Sequence, residues 1–290
     1  NLKSSKKDIR TVAVSEGSKR FLENLYLWDK IKKNAEPIKK IKVFDRSPSN
    51  KILFENHDKK KKLGYVIENS KFSRSLLSTL KTKKNVKIYG KSRLNKIYAS
   101  NTHSIIHLNN KVIKSKLTIA ADGKHSTVRS MLGDKIFKKN YQESALVLNF
   151  FHKNNLNNLA YEIFYNTGPL AILPMKSSSK TSQSSIIWSN SNSFIDRIID
   201  CNDGFIKNII EESVGNIIGK ITKLNSKQKF PLSAHINKKF FNKRLVYIGD
   251  SAHSIHPIAG QGWNLGVKDV KNLKLVCEDF ISKRQEIGND

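Results

Sequence analysis

The sequence predicts an α/β protein in which a parallel, ligand-binding sheet is interrupted by a mixed, largely antiparallel sheet. Three observations carry this. Residues 245–248 form a short apolar run bounded by Gly249, the pattern of a strand buried on both faces of a parallel sheet. Residues 117–121 form a second such run, closed by Asp122 and Gly123. Between the two, residues 141–235 read as a series of strands with two short helices near their end. The chain therefore divides into 1–140, 141–235 and 236–290, the outer two segments making one domain and the middle one a second.

The elements follow in order. Residues 11–14 are briefly apolar. From Ser15, an N-cap residue type, a helix is expected, because Phe21, Leu22, Leu25, Trp28 and Ile31 share a face at helical spacing. Residues 41–44 and 64–67 read as strands, and Phe72, Leu76, Leu77 and Leu80 mark a helix opening after Ser70. Residues 86–89, 94–99 and 104–108 alternate as an antiparallel meander. After the run at 117–121, Ser126 is expected to cap a short helix carrying Arg129. Strands are expected at 145–151, 161–165, 170–173 and 185–188, then helices near 194–199 and 205–214. The last strand, 245–248, delivers Asp250 to the carboxyl end of its sheet, where open α/β sheets bind ligands. Pro257, Gly260 and Gly262 then precede a helix through Val267, Val270, Leu273 and Val276. Glycines there let backbone approach a ligand, and the amides of the first helical turn face an electron-rich group.

Composition narrows the partners. Lys and Arg number 53 against 24 Asp and Glu, a net charge of +29. The lysines are scattered, with a run only at 59–62 and no basic stripe interleaved with aromatics, so solvated surface accounts for them better than nucleic acid does. A basic surface also suits an anionic membrane face. Cys201 and Cys277 stand alone, which supports neither a disulfide framework nor a zinc knuckle and fits a reducing cytoplasm. His253 and His256 have HxxH spacing but lack a third ligand, so no metal is expected and pocket lining is their better reading. No Ser–His–Asp or GxSxG pattern supports a hydrolase. No apolar run approaches the roughly 18 residues of a spanning helix. The chain begins with Asn1 and has no GxGxxG near its start, so a fragment is expected.

The string Gly249-Asp250, His256-Pro257-Ile258-Ala259-Gly260-Gln261-Gly262, Asn264-Leu265-Gly266 and Asp269 resembles the signature of the ubiquinone-biosynthesis hydroxylases. These are FAD-dependent aromatic monooxygenases with the fold of para-hydroxybenzoate hydroxylase. The resemblance implies a Rossmann-like FAD-binding sheet beside a substrate-domain sheet. It also implies that Asp250 binds the ribityl chain, and that Gly260, Gln261, Gly262 and Asn264 lie against the pyrophosphate and the pyrimidine edge of the flavin. The segment Asp8-Ile9-Arg10-Thr11 resembles the family's stretch after its first βαβ unit, which gives Arg10 an FAD contact. Arg74 resembles an arginine that faces the flavin. Asp122, Gly123 and Arg129 resemble the Asp-Gly fingerprint that helps hold the FAD pyrophosphate region and the nicotinamide cofactor. Residues 161–164, 168–174 and 187–188 resemble the substrate-domain sheet, which makes Leu173, Pro174 and Trp188 pocket candidates.

The implied reaction is NAD(P)H-dependent hydroxylation of a polyprenylated phenol through a C4a-hydroperoxyflavin, with no obligatory catalytic side chain. Peripheral association with the inner face of the membrane or with a biosynthetic complex would follow. Same-fold alternatives are a prenyl-lipid reductase and a halogenase, although the Trp-x-Trp of a halogenase is absent. An inactive fragment and a basic nucleic-acid-binding protein stay open as well.

Overall fold

The computed structural model describes residues 8–45, 51–58, 60–177, 181–256 and 260–288. The chain opens with β1 (Thr11–Ser15), and the Ser15 side chain accepts the Ser18 N–H to cap α1 (Glu16–Asn24). The expected single helix is broken. Tyr26 adopts φ +56° and the chain restarts as α2 (Trp28–Ile31), which keeps Trp28 and Ile31 in one apolar cluster with Val12, Val14 and Leu22. Next come β2 (Ala35–Ile38), β3 (Lys40–Asp45), β4 (Lys51–Glu55), β5 (Gly64–Glu68) and α3 (Asn69–Lys81). The strand expected at 86–89 does not form; Val86, Ile88 and Tyr89 are exposed, with no ladder partner to hold them. The meander is instead β6 (Leu94–Ala99), β7 (Ser104–Leu108) and β8 (Lys111–Ser115).

After β9 (Thr118–Ala120) and α4 (Thr127–Leu132), the chain enters β10 (Ile136–His152), β11 (Leu159–Tyr165), β12 (Gly168–Met175) and β13 (Ser182–Ser191). Helices α5 (Asn192–Ile199) and α6 (Asp203–Val214) precede β14 (Ile221–Asn237). Short strands β15 (Phe241–Asn242), β16 (Leu245–Tyr247) and β17 (His253–Ser254) lead to α7 (Gln261–Ser282).

These strands form three three-stranded sheets, β1-β5-β2, β15-β16-β9 and β6-β7-β8, and one eight-stranded sheet, β17-β14-β10-β13-β12-β11-β3-β4. The large sheet is not confined to the middle of the sequence, because it takes β3 and β4 from 40–55 and β17 from beyond 250. All its pairings are antiparallel except β11 with β3. Side chains alternate across it. Leu146, Leu148, Phe150, Leu170, Ile172 and Ile186 point to one face and are buried with Ile195 of α5 and Ile206 and Ile210 of α6, the largest core of the molecule. Each such side chain contributes about 1.5–3 kcal/mol on burial.

The opposite, inner face of the sheet meets β2 and β5. Ala160, Leu173 and Met175 pack there against Ile38 and Val66. Helix α7 has no buried residue, and Leu275, Val276 and Ile281 are all more than half exposed.

Candidate functional site

β9 and β16 pair in parallel, with Leu245 opposite Thr118 and Tyr247 opposite Ala120. Both strands therefore end at the same edge, and the turns bearing Asp122 and Asp250 leave it side by side. Ser251 laces them together: its Oγ lies 2.5 Å from Ala120 O and 2.8 Å from Ile248 O, the single O–H shared between the two carbonyls.

Asp122 and Arg129 spend their hydrogen bonds on this scaffold. The Asp122 carboxylate accepts the Val128 N–H at 3.1 Å and Ser126 Oγ accepts that of Arg129 at 3.1 Å, so two side chains cap α4. Gly123, at φ +87°, makes the turn between them. Arg129 Nη1 donates to Ser251 O at 2.9 Å and lies 3.2 Å from His235 Nε2, while Nη2 donates to Lys124 O at 2.7 Å. The guanidinium fork thus spans the two strand-end turns. Burial, then the neighbouring charges of Arg129 and Lys124, push the His235 pKa below its usual range.

Asp250 behaves differently. It is exposed and makes no hydrogen bond to any described residue, yet its charge acts on Arg10, Lys124 and His235. Arg10 lies over the Phe230 ring, 5.1 Å from its centroid, and grips Asp8 with two bonds of 2.9 and 2.8 Å. That pairing raises the guanidinium pKa against the burial that lowers it, and Asp250 adds to the rise. Burial lowers the pKa of Lys124, and the Asp250 charge opposes that shift. A free carboxylate between two cations is a site for a ligand offering both hydroxyl and anionic groups.

The start of α7 completes the arrangement. Gly260, at φ +61°, is its N-cap with no side-chain cap bond, and no acid stands in the first turn, where Gln261 and Gly262 lie. A Cβ on Gly260 would come within 3.0 Å of Ala13 Cβ. The Asn264 side chain is turned inward: Oδ1 accepts Ser15 N–H at 2.9 Å and Ser18 Oγ–H at 2.8 Å, and Nδ2 donates to Ala13 O at 2.7 Å. The same end of the helix is pinned to the Gly249 turn, since Asp269 Oδ2 accepts Gly249 N–H at 2.8 Å and lies 2.8 Å from His253 Nε2. Gly266 meets Gly249 so closely that a Cβ on it would stand 3.3 Å from the Gly249 Cα. Pro257 lies outside the described residues.

His253 and His256 face different partners, Asp269 and Glu143, and among the described residues no group of three His, Cys, Asp or Glu is arranged for a metal. Arg74 is exposed on α3. Leu173 lies on the inner face of the large sheet, whereas Trp188 is buried on the other, packed edge-on against Phe194 of α5. Pro174, next to Leu173 in the pleat, also points away from the inner face. The three pocket candidates are therefore not brought together.

Sequence reading missed Glu162. It sits mid-strand on the inner face, opposite Val43 of β3 and Ala171 of β12, and Ala171 in turn faces Ile187 of β13. Burial pushes its pKa up to about 7, and no described residue pairs with it. A lone acid inside the apolar stretch at 159–165 was the available signal. Along the next row of that face, Asn149 Oδ1 and Ser185 Oγ oppose one another, buried and without hydrogen-bond partners among the described residues. The Nδ2 of the same Asn149 donates to Ile9 O, beside Arg10, at 2.8 Å.

The family model described as FAD binding domain matches residues 2–278. The chain belongs to this FAD-binding family. Its free Asp250 carboxylate, flanking cations, acid-free α7 start and orphaned inner-face polar atoms fit a flavin dinucleotide. Among its relatives, ubiquinone hydroxylase UbiL of Rhodospirillum rubrum is 26% identical over 284 residues, 98% of this chain and 64% of that protein. The mitochondrial ubiquinone biosynthesis monooxygenase COQ6 of Danio rerio is 28% identical over 327 aligned residues, 96% of this chain and 66% of that one. The chain thus spans just under two thirds of the length of these two curated relatives. The crystal structure of PqsL from P. aeruginosa in complex with 2-aminobenzoylacetate superposes with a TM-score of 0.78 at 15% identity, over 94% of this chain and 76% of that one. That likeness concerns the fold: small sheets set beside one large mixed sheet.

Proposed function

We propose that the protein is an FAD-dependent aromatic-ring monooxygenase that hydroxylates a polyprenylated phenol in ubiquinone biosynthesis, using NAD(P)H and O2. The observation that carries this is the parallel β9–β16 pair, which brings the Asp122 and Asp250 turns together in an FAD-binding chain. Two matched relatives are named as a ubiquinone hydroxylase and a ubiquinone biosynthesis monooxygenase.

Bound FAD supplies the redox chemistry, taking electrons from NAD(P)H and activating O2. In this reading Asp250 accepts hydrogen bonds from cofactor hydroxyls. Arg10 and the amides of Gln261 and Gly262 at the α7 start take its anionic groups and favour negative charge on the reduced ring. Asp122, Gly123 and Arg129 hold the strand-end turns in place, Gly249 and Gly260 let backbone close on the cofactor, and Asn264 anchors the helix start. The apolar row Val43–Ala171–Ile187 on the inner face of the large sheet receives the ring and excludes water. Glu162, within that row, is assigned to the phenol hydroxyl as hydrogen-bond acceptor. No described helix is long and apolar enough to cross a membrane. The reading puts the protein in the cytoplasm, peripheral at the inner membrane face, without a nucleic-acid partner.

The test is turnover by the purified chain supplied with FAD, NADH or NADPH, and a short-chain prenylphenol under 18O2. One labelled oxygen in a ring hydroxyl, with NAD(P)H consumed in proportion, is the expected result. A saturated prenyl chain, or a halogenated ring when halide is present, would move the protein to the reductase or halogenase class. NAD(P)H oxidation that the phenol does not stimulate would remove the substrate assignment.

A further inference from the structure

The outer strand of the large sheet carries a surface that the site described above does not use. β4 is exposed along its whole length, and its three central residues are all apolar: Ile52 is 58% exposed, Leu53 49% and Phe54 50%. The strand register gives their directions. Ile52 and Phe54 lie opposite Val43 and Ile41 of β3, on the inner face, and Leu53 lies opposite Lys42 on the other. Apolar side chains therefore leave this edge from both faces of one strand. Lys40 and Lys42 of β3 and Lys51 of β4 belong to this edge, and Lys39, Lys60, Lys61 and Lys62 adjoin it in sequence, against Asp45, Glu55 and Asp58, of which Glu55 pairs with Lys40 and Asp58 with Lys61. Lysines on an edge strand guard against strand-to-strand aggregation. That accounts for Lys51 and leaves three consecutive exposed apolar residues unexplained.

We propose that the β3–β4 edge docks the protein on an anionic lipid bilayer. Charge complementarity selects this occupant, because the lysines match acidic headgroups. The two-faced apolar display supports the choice. A protein groove covers one side of a strand, whereas the headgroup–acyl boundary accepts apolar groups from both while lysine stems snorkel. The surface also lies in line with the inner face: Ile52 faces Val43, Val43 faces Glu162, Glu162 faces Ala171, and Ala171 faces Ile187. Resting on the proposed hydroxylase reading, this row is the path by which a lipid-tailed phenol enters from the bilayer edge.

The test is flotation of the full chain with vesicles of phosphatidylcholine alone and of phosphatidylcholine with one-fifth phosphatidylglycerol. Binding to the anionic vesicles, weakened by salt and weak on phosphatidylcholine alone, is expected. The double variant Ile52→Glu with Phe54→Glu should bind roughly ten-fold more weakly or worse, from losing two buried side chains. Lys60→Glu with Lys61→Glu should weaken binding chiefly at low salt. Leu275→Glu with Val276→Glu, on the exposed face of α7, should leave it unchanged. Thermal melts of each variant separate lost binding from lost folding. Undiminished binding by the folded β4 variant, or loss only in the α7 variant, overturns the proposal. So does a protein that ignores anionic vesicles, or one that dimerises through β4 by light scattering. Vesicle binding without phenol turnover would keep the docking surface and reject only the substrate path.

Discussion

The Ser15 N–H donates to Asn264 Oδ1 at 2.9 Å, joining the end of the first strand to the first turn of the last helix, 249 positions away. The amide of Asn264 is matched at both ends, because its Nδ2 reaches Ala13 O. Replacing it leaves at least one part-buried backbone donor without a partner. Asn264→Ala should cost about 1–3 kcal/mol in urea unfolding. Asn264→Asp should cost more, since a carboxylate would then confront the Ala13 carbonyl. An unchanged unfolding midpoint in both variants would mean that this bond does not hold α7.

Asp250→Ala removes the one carboxylate at the strand ends that no described residue engages. A lost charge-assisted hydrogen bond of about 1.5–3 kcal/mol corresponds to FAD binding weakened roughly 10- to 150-fold. Flavin fluorescence titration measures it. Equal affinity in wild type and variant would take Asp250 out of the cofactor site.

Arg129→Lys keeps the charge and discards the fork. A lysine cannot reach Ser251 O and Lys124 O together, so the turns at 122–124 and 249–251 lose their brace. The expected outcome is a loss of about 1–3 kcal/mol in stability together with weaker FAD binding. A variant that is less stable yet binds FAD as before would separate the brace from the site.

Glu162 gives a pH dependence with a definite sign. Its folded pKa of about 7 stands above that of the unfolded chain, because burial disfavours the carboxylate. Between the ordinary carboxylate value of about 4.3 and pH 7, the folded state holds a proton that the unfolded state has released. Stability is therefore greatest below this window and falls as pH rises through it, by on the order of 1–3 kcal/mol. Glu162→Gln should flatten that part of the profile, measured as urea midpoints at pH 5 and pH 8. Parallel profiles in wild type and variant would show that the side chain is better solvated than its strand position implies.

What the sequence made legible was local. The Asp122 and Asp250 turns could be read because strand, turn and helix start lie within a few residues, and each step has its own chemistry. Ser126 as a cap and the φ > 0 turn at Gly123 belong to the same class. The inward role of Asn264 could not be read, because its partners Ala13, Ser15 and Ser18 lie at the far end of the chain. Trp188 shows a different limit. Period-two alternation separates two faces of a strand, but only the position of α5 and α6 decides which one is core. β4 and β2 were missed because an exposed edge strand and a strand containing Pro37 lack the alternating pattern. The helix expected to reach Ile31 failed at Tyr26, where apolar spacing continues but the backbone does not.

β10 and β14 are each 17 residues long and pair along most of that length. Their lower parts, 136–140 against 233–237, contain His235 and reach the Ser251 turn through Asn237, and β17 adds to them; their upper parts carry the rest of the large sheet. The ladder is interrupted between Asn140 and Ser144, where Gln142 takes φ +60°. A paired ribbon resists shear and twist along its bonds but yields where they are missing. The turns at 122–124 and 249–251 thus lie on one side of this interruption and most of the large sheet on the other, with the three residues around Gln142 between them. On the reading proposed above, a change in the spacing of the two sites would be a bend at that point rather than a slide of one layer over another.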